Sequence, residues 1–208
     1  MTRKELESAL VRYIPEQAVA AVASMIVEMN VHLRITRARS SKLGDYRAPF
    51  GGKGHRISIN HNLNSYAFLV TLVHELAHLT TWNKHKHAVD PHGKEWKQEF
   101  RGLMLPFLQK ECFPADVQAA LEAYLRNPAA ASCSDPHLMK TLGKYDEQPG
   151  LLLENLPHGA IFALGRNMIF RKGEKKRTRY RCQELGSGRF YMVSAVAEVF
   201  LPDGQAPD

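Results

Sequence analysis

Apolar side chains recur at helical spacing up to Leu142 and give way to two-residue alternation beyond Leu151. Thr2-Arg3-Lys4-Glu5 has the form of a capping box, and Leu6, Leu10, Val11 and Ile14 follow on one helical face. Pro15 opens a second helix to about Asn30, with Val19, Val22, Ala23, Met25 and Ile26 inward. Val31 to Thr36 alternates and reads as a strand, with His32 on its polar side. Residues 40–54 are rich in glycine and turn formers and predict a hairpin turn into a strand from His55 to Asn60. Gly51-Gly52-Lys53-Gly54 lacks the spacing of a phosphate loop and has no helix after it.

Ala67, Phe68, Leu69, Val70, Leu72, Val73, Leu76, Ala77 and Leu79 then make a run apolar on nearly every face. Such a run predicts a helix buried in the core, capped by Asn64 or Ser65. Asp90-Pro91-His92-Gly93 reads as the start of the next helix, with Asp90 as N-cap, Pro91 at N1 and His92 in the first turn. Trp96, Phe100, Leu103 and Met104 continue its apolar face to about Gln109. Pro114 to Asn127 is amphipathic through Val117, Ala120, Leu121 and Tyr124, and a break at 128–134 precedes a short helix from Asp135 or Pro136 to Leu142. Gly143 to Gly150 reads as a linker, giving domains over 1–148 and 149–208. In the second domain Ala160–Leu164, Met168–Phe170, Arg177–Cys182 and Arg189–Val199 predict a meander turning at Gly165, Gly173 and Gly186-Ser187-Gly188.

Composition adds limits. A chain of 208 residues with 44% hydrophobic side chains can bury a sizeable core. It has no run of about eighteen apolar residues and hence no predicted membrane span. Its N-terminus carries acidic residues and is expected to lead into an amphipathic helix rather than a signal-peptide core. Three widely spaced cysteines, Cys112, Cys133 and Cys182, point to a reducing, cytoplasmic setting. Cys112 is expected in the core and Cys133 beside a helix cap, neither with a base for nucleophilic work.

The candidate chemistry sits in the buried helix, where His74-Glu75-Leu76-Ala77-His78 is an H-E-x-x-H motif. Residues i and i+4 share a helix face, so His74 and His78 can aim at one point, with Glu75 about 100° round. Burying these groups among leucines and valines without partners would cost several kcal/mol, and one Zn2+ resolves that cost. Glu75 is then placed as general base towards a water. A third ligand must come from further along. The metzincin extension fails, since Thr81 and Lys84 hold its glycine and histidine places. His92 is favoured, Glu99 is the rival, and His85 and His87 lie in a polar, lysine-rich loop.

The same residues carry a resemblance. The H-E-x-x-H followed after thirteen residues by His92-Gly93-Lys94-Glu95-Trp96 resembles the pattern of SprT-like (Spartan-related) zinc metalloproteases, and His55–Asn60 is similar to the strand before their active-site helix. The likeness covers roughly residues 20 to 110. By analogy with that fold, His55–Asn60 is expected to be an edge strand along the cleft, open to pairing with an extended polypeptide. It implies an α+β fold, a zincin-like metalloprotease core with a small C-terminal antiparallel β module. It also implies three zinc ligands, His74, His78 and His92, and Glu75 as catalytic base. Several such proteases carry a C-terminal zinc ribbon of paired cysteines. Only Cys182 lies in that region here, so a zinc-free, ribbon-like module is expected.

Charge completes the picture. Between Arg166 and Arg181 eight basic side chains stand against one acid, Glu174, while the net charge of the whole chain is +7. Arg171, Lys172, Lys175, Lys176, Arg177 and Arg179 are therefore candidate contacts to a nucleic-acid backbone, with Phe170, Tyr180 and Tyr191 available for stacking. Such binding to DNA would be sequence-tolerant and salt-sensitive. The leading expectation is a zinc endopeptidase whose polypeptide substrates are DNA-associated or crosslinked proteins. The competing ones are a non-proteolytic nucleic-acid-binding adaptor with a structural zinc, and a hydrolase of small amides. Tyr46, Arg47, His85 and His87 are candidate oxyanion donors.

Overall fold

The computed structural model describes residues 2–39, 42–128, 135–165 and 168–202. It is a mixed α+β protein that divides into two compact units, Met1–Glu147 and Gln148–Asp208. Cys133 and Arg166, together with most of the break at 128–134, lie outside the described residues.

The first unit holds helices α1 (Arg3–Leu10), α2 (Glu16–Glu28), α3 (Ser65–His85), α4 (Lys94–Gln109), α5 (Ala115–Leu125) and α6 (Pro136–Gly143). With them is a sheet of β1 (Val31–Thr36), β2 (Gly44–Arg47) and β3 (His55–Asn60). Caps set the helix starts. Thr2 and Glu5 close the capping box of α1 reciprocally, and Asp135 accepts from the Leu138 N–H to begin α6. Asn64 Oδ1 accepts from the Ala67 N–H at 3.0 Å, while its Nδ2 donates to the Leu142 carbonyl at 2.9 Å and to Asp146. One side chain thus starts α3 and ties it to the end of α6.

Helix α3 is the centre of the core, buried from Ala67 to Ala77 on every face. It packs against α4 on one side and against β2 and β3 on the other. The sheet order is β1-β3-β2, with β1 parallel and β2 antiparallel to β3. This corrects the expectation that His55–Asn60 is the edge strand: β3 is central, and the arm over Gly44–Arg47 takes the edge beside α3. Four residues, one of them glycine, are too few for alternation to reveal that arm. Alternation sorts the sheet faces as it should. Leu33, Ile35, Tyr46, Ile57 and Ile59 turn to the core, and His32, Arg34, Arg47 and Arg56 turn the other way.

The second unit is a five-stranded antiparallel sheet of β4 (Ile161–Leu164), β5 (Met168–Arg171), β6 (Lys175–Lys176), β7 (Arg179–Glu184) and β8 (Phe190–Ser194), preceded by a 3₁₀ turn at Leu153–Asn155. Strands β5 and β6 run along one side of β7, and β8 pairs with the other. Its small core gathers Leu153, Leu156, Phe162, Phe170, Cys182, Val193 and Val199. The predicted strand from Arg177 begins two residues later, because Arg177 turns the chain at φ +56° between β6 and β7. Among the described residues no helix is long and apolar enough to cross a membrane.

Candidate metal centre

Three imidazoles meet above the middle of α3. His74 Nε2 lies 3.3 Å from His78 Nε2 and 3.2 Å from His92 Nε2. Zinc–nitrogen bonds of about 2.0–2.1 Å at tetrahedral angles separate neighbouring nitrogens by about 3.3–3.4 Å. The donor set therefore fits that ion. No fourth histidine, cysteine or carboxylate joins the cluster among the described residues. Burial, reinforced by the other two imidazoles, pushes His74 down to about 3. Burial and His92 push His78 down to about 4, and burial lowers His92. All three rings are accordingly neutral at pH 7, with lone pairs free to bind a cation.

His92 reaches the cluster from a different local structure than the sequence suggests. Helix α4 starts at Lys94 with Gly93 as N-cap, so Asp90 is not the cap, Pro91 is not its first residue and His92 lies outside the helix. The Gly93 N–H instead donates to the Asp90 carbonyl at 2.9 Å, closing a β-turn with Pro91 second and His92 third. His92 adopts φ +65°, the sign a type II turn demands at its third position. Gly93 eases this turn, since a Cβ there would sit only 3.0 Å from the Asp90 carbonyl oxygen. Asp-Pro-x-Gly is itself a turn signal, and here the turn outweighs the cap.

The rival ligand Glu99 stays away, its carboxylate 2.6 Å from Lys84 Nζ. Trp96, in the first turn of α4, supplies the floor. Its ring centroid lies 4.6, 5.4 and 4.7 Å from those of His74, His78 and His92, and it stacks on Phe100 at 5.1 Å. His74 Nδ1 is buried without a protein hydrogen-bond partner. Packing against Trp96 and Phe100, rather than a carboxylate, holds that ring in place.

Glu75, about 100° round α3 from His74, is only 7% exposed and lies against β2. Burial raises its carboxyl to about 7, with the Asp45 carboxylate adding to the rise. The Tyr46 backbone N–H, Arg39 and Lys42 oppose it. A carboxyl balanced near neutrality can both take and return a proton. Gly44 makes this proximity possible, and no sequence signal marks it. A Cβ there would lie 2.6 Å from Glu75 Oε1 and 2.8 Å from Thr71 Cγ2. A glycine preceding a short run of alternation carries too little pattern to announce such a role.

Tyr46, His78, Trp82, Lys86, His87 and His92 line the cleft over the cluster. The Tyr46 hydroxyl is 2.9 Å from His55 Nδ1, and its ring lies parallel to that of His78 at 6.3 Å. Of the four candidate oxyanion donors, Tyr46 and His87 face this cleft. Arg47 pairs with Asp45 on the opposite face of the sheet, and His85 ends α3 outside the cleft lining.

The basic stretch of the second unit divides. Arg171, Lys175, Lys176, Arg177 and Arg179 are exposed. Lys172 is not: at 4% exposure its ammonium donates to the Leu156 and Glu154 carbonyls and lies 4.1 Å from the Tyr180 ring centroid. Its expected place among surface contacts is corrected, as is that of Phe170, which is in the module's core. Phe190, Tyr191 and Phe200 are exposed, with Arg181 stacked 3.9 Å over Phe190.

Neither curated proteins nor solved structures give a match to this chain. The model of the SprT-like family matches residues 13–113, a span that contains the sheet, α3, all three histidines and Trp96. Residues 13–113, just under half of the chain, are thus a SprT-like segment.

Proposed function

We propose that this chain is a zinc-dependent endopeptidase with a zincin-type core, acting on proteins held on DNA. The observation that carries the reading is the convergence of His74, His78 and His92 on one point, with Glu75 next in sequence and buried. Zinc held by the three histidines would act as a Lewis acid towards a scissile carbonyl. Glu75 accepts a proton from the attacking water at its carboxylate and returns it to the leaving amine. Tyr46 and His87 flank the cleft as donors to the developing oxyanion. Strand β2, at the edge of its sheet beside the cleft, offers backbone groups to an extended substrate, which favours polypeptide over small amides. A structural zinc is normally closed by a fourth protein ligand, and its absence among the described residues counts against the adaptor reading.

The DNA part of the proposal is supported by the exposed Arg171, Lys175, Lys176, Arg177 and Arg179, with Phe190 and Tyr191 near them in sequence for stacking. The deciding experiment measures zinc content and cleavage of casein and of a DNA-bound protein. One zinc per chain and cleavage abolished by a chelator are expected. Zinc without cleavage of either substrate would leave the adaptor. Reversing charge at Lys175, Lys176, Arg177 and Arg179 should weaken DNA binding and flatten its dependence on log salt by roughly one unit for each phosphate no longer neutralised. Unchanged affinity at low salt would reduce the stretch to solvated surface.

Gly44 supplies a separate test. Gly44→Ala should lower turnover by roughly 10²-fold, as expected for a displaced catalytic group, while zinc content is retained. Unaltered kcat would show that β2 yields without moving Glu75.

A further inference from the structure

The solvent face of the three-stranded sheet carries a basin of about 670 Å³. Arg34 of β1, Arg47 of β2 and Arg56 of β3 line it, with Arg39 and Lys53 from the connecting segments. One carboxylate, Asp45, faces the same space. That carboxylate is already engaged, 2.7 Å from Lys42 Nζ and 3.0 Å from Arg47 Nε. Arg34, Arg39, Lys53 and Arg56 have no ion pair among the described residues. Cations gathered in a concavity without counter-charge repel one another, and an anion relieves that repulsion.

Two details make this a built site rather than a basic surface. Arg39 is fixed across the sheet, its Nε donating to Asn60 Oδ1 at 2.8 Å and its guanidinium to Ser58 Oγ at 3.1 Å. The Nε of Arg56 is buried and has no protein hydrogen-bond partner, a cost that a ligand oxygen would remove. Register places Arg56 between Arg47 on one neighbouring strand and His32 on the other, so guanidinium groups stand side by side across the strands. Along the strands the basin is bounded by the β2–β3 turn at Lys53-Gly54 and by Arg39. Such a volume suits a compact ligand, and planar guanidinium forks match phosphoryl oxygens in pairs.

We propose that this basin binds a compact oligophosphate, such as pyrophosphate or the phosphate tail of a nucleotide. The site is distinct from the histidine cluster and does not depend on the peptidase reading.

Titration calorimetry of the full chain with pyrophosphate, with ATP and with a short oligothymidylate tests it. The variants are Arg34→Glu/Lys53→Glu, both positions being exposed, and Arg56→Gln. Thermal melting checks that each is folded. Pyrophosphate and ATP should bind, and the exposed double variant should weaken both by about tenfold or more, the worth of one charge-assisted hydrogen bond. Arg56→Gln, if folded, should do likewise. Absence of pyrophosphate and ATP binding would overturn the proposal, as would affinities unchanged in the double variant. Binding of the oligonucleotide alone, abolished in that variant, would overturn it too and assign the basin to a nucleic-acid backbone.

Discussion

Glu75→Gln is expected to lower turnover of a casein-like substrate by about 10²- to 10⁴-fold, the usual contribution of a positioned acid–base group, while one zinc per chain is retained. Glutamine keeps the volume of the side chain and removes its capacity to carry a proton. The candidate metal ligands are untouched, because the cluster of His74, His78 and His92 does not include Glu75. Burial leaves the Glu75 carboxyl balanced near pH 7 with the Tyr46 N–H as a fixed partner. Turnover and zinc content measured on the same preparation decide the matter. Full activity in the variant would remove Glu75 from the mechanism, and loss of zinc would mean that it acts structurally.

The second large effect concerns Trp96. It is fully buried, stacked on Phe100 and in contact with all three candidate ligand rings. Trp96→Ala should lower the free energy of unfolding by about 3–5 kcal/mol, the range for deleting a large buried aromatic, and should weaken zinc binding as well. His74 is the reason for the second effect, since its Nδ1 has no protein partner and the ring is positioned by packing. Trp96→Phe tests the same idea more gently. The indole Nε1 makes no protein hydrogen bond, so a phenyl ring should keep most of the zinc affinity that alanine loses. Equal zinc affinity in the alanine variant and the unmodified protein would show that the ligands hold themselves in place. Denaturant titration and competition with a metal chelator provide the two readouts.

What is legible in the sequence follows physical lines. Helix α3 is legible because the run from Ala67 to Leu79 is apolar on nearly every face, and its cap is legible to within Asn64 or Ser65, of which Asn64 satisfies the free N–H. The pair His74 and His78 follows from helix periodicity alone. His92 is recognisable as a donor while its backbone is not, since Asp-Pro suits both a helix start and a turn. Only the contact between the Gly93 N–H and the Asp90 carbonyl distinguishes them. Strand β2 is too short to show, and with it goes the role of Gly44. Charge misleads in two directions. Lys172 counts as a cation in any tally, yet its long stem and its carbonyl partners draw it inside. Arg34, Arg39, Arg47 and Arg56 are scattered through a segment of little pattern, and only strand register brings them to one face.

The turn that carries His92 gives the site an uneven grip. Two donors ride on a stiff rod anchored throughout the interior, whereas the third sits on a bend whose left-handed geometry disfavours side chains other than glycine. An ion seated among them would clasp that bend to the rod, and its departure would free the bend first. Loading and unloading of such an ion would then depend most on the few residues around Pro91.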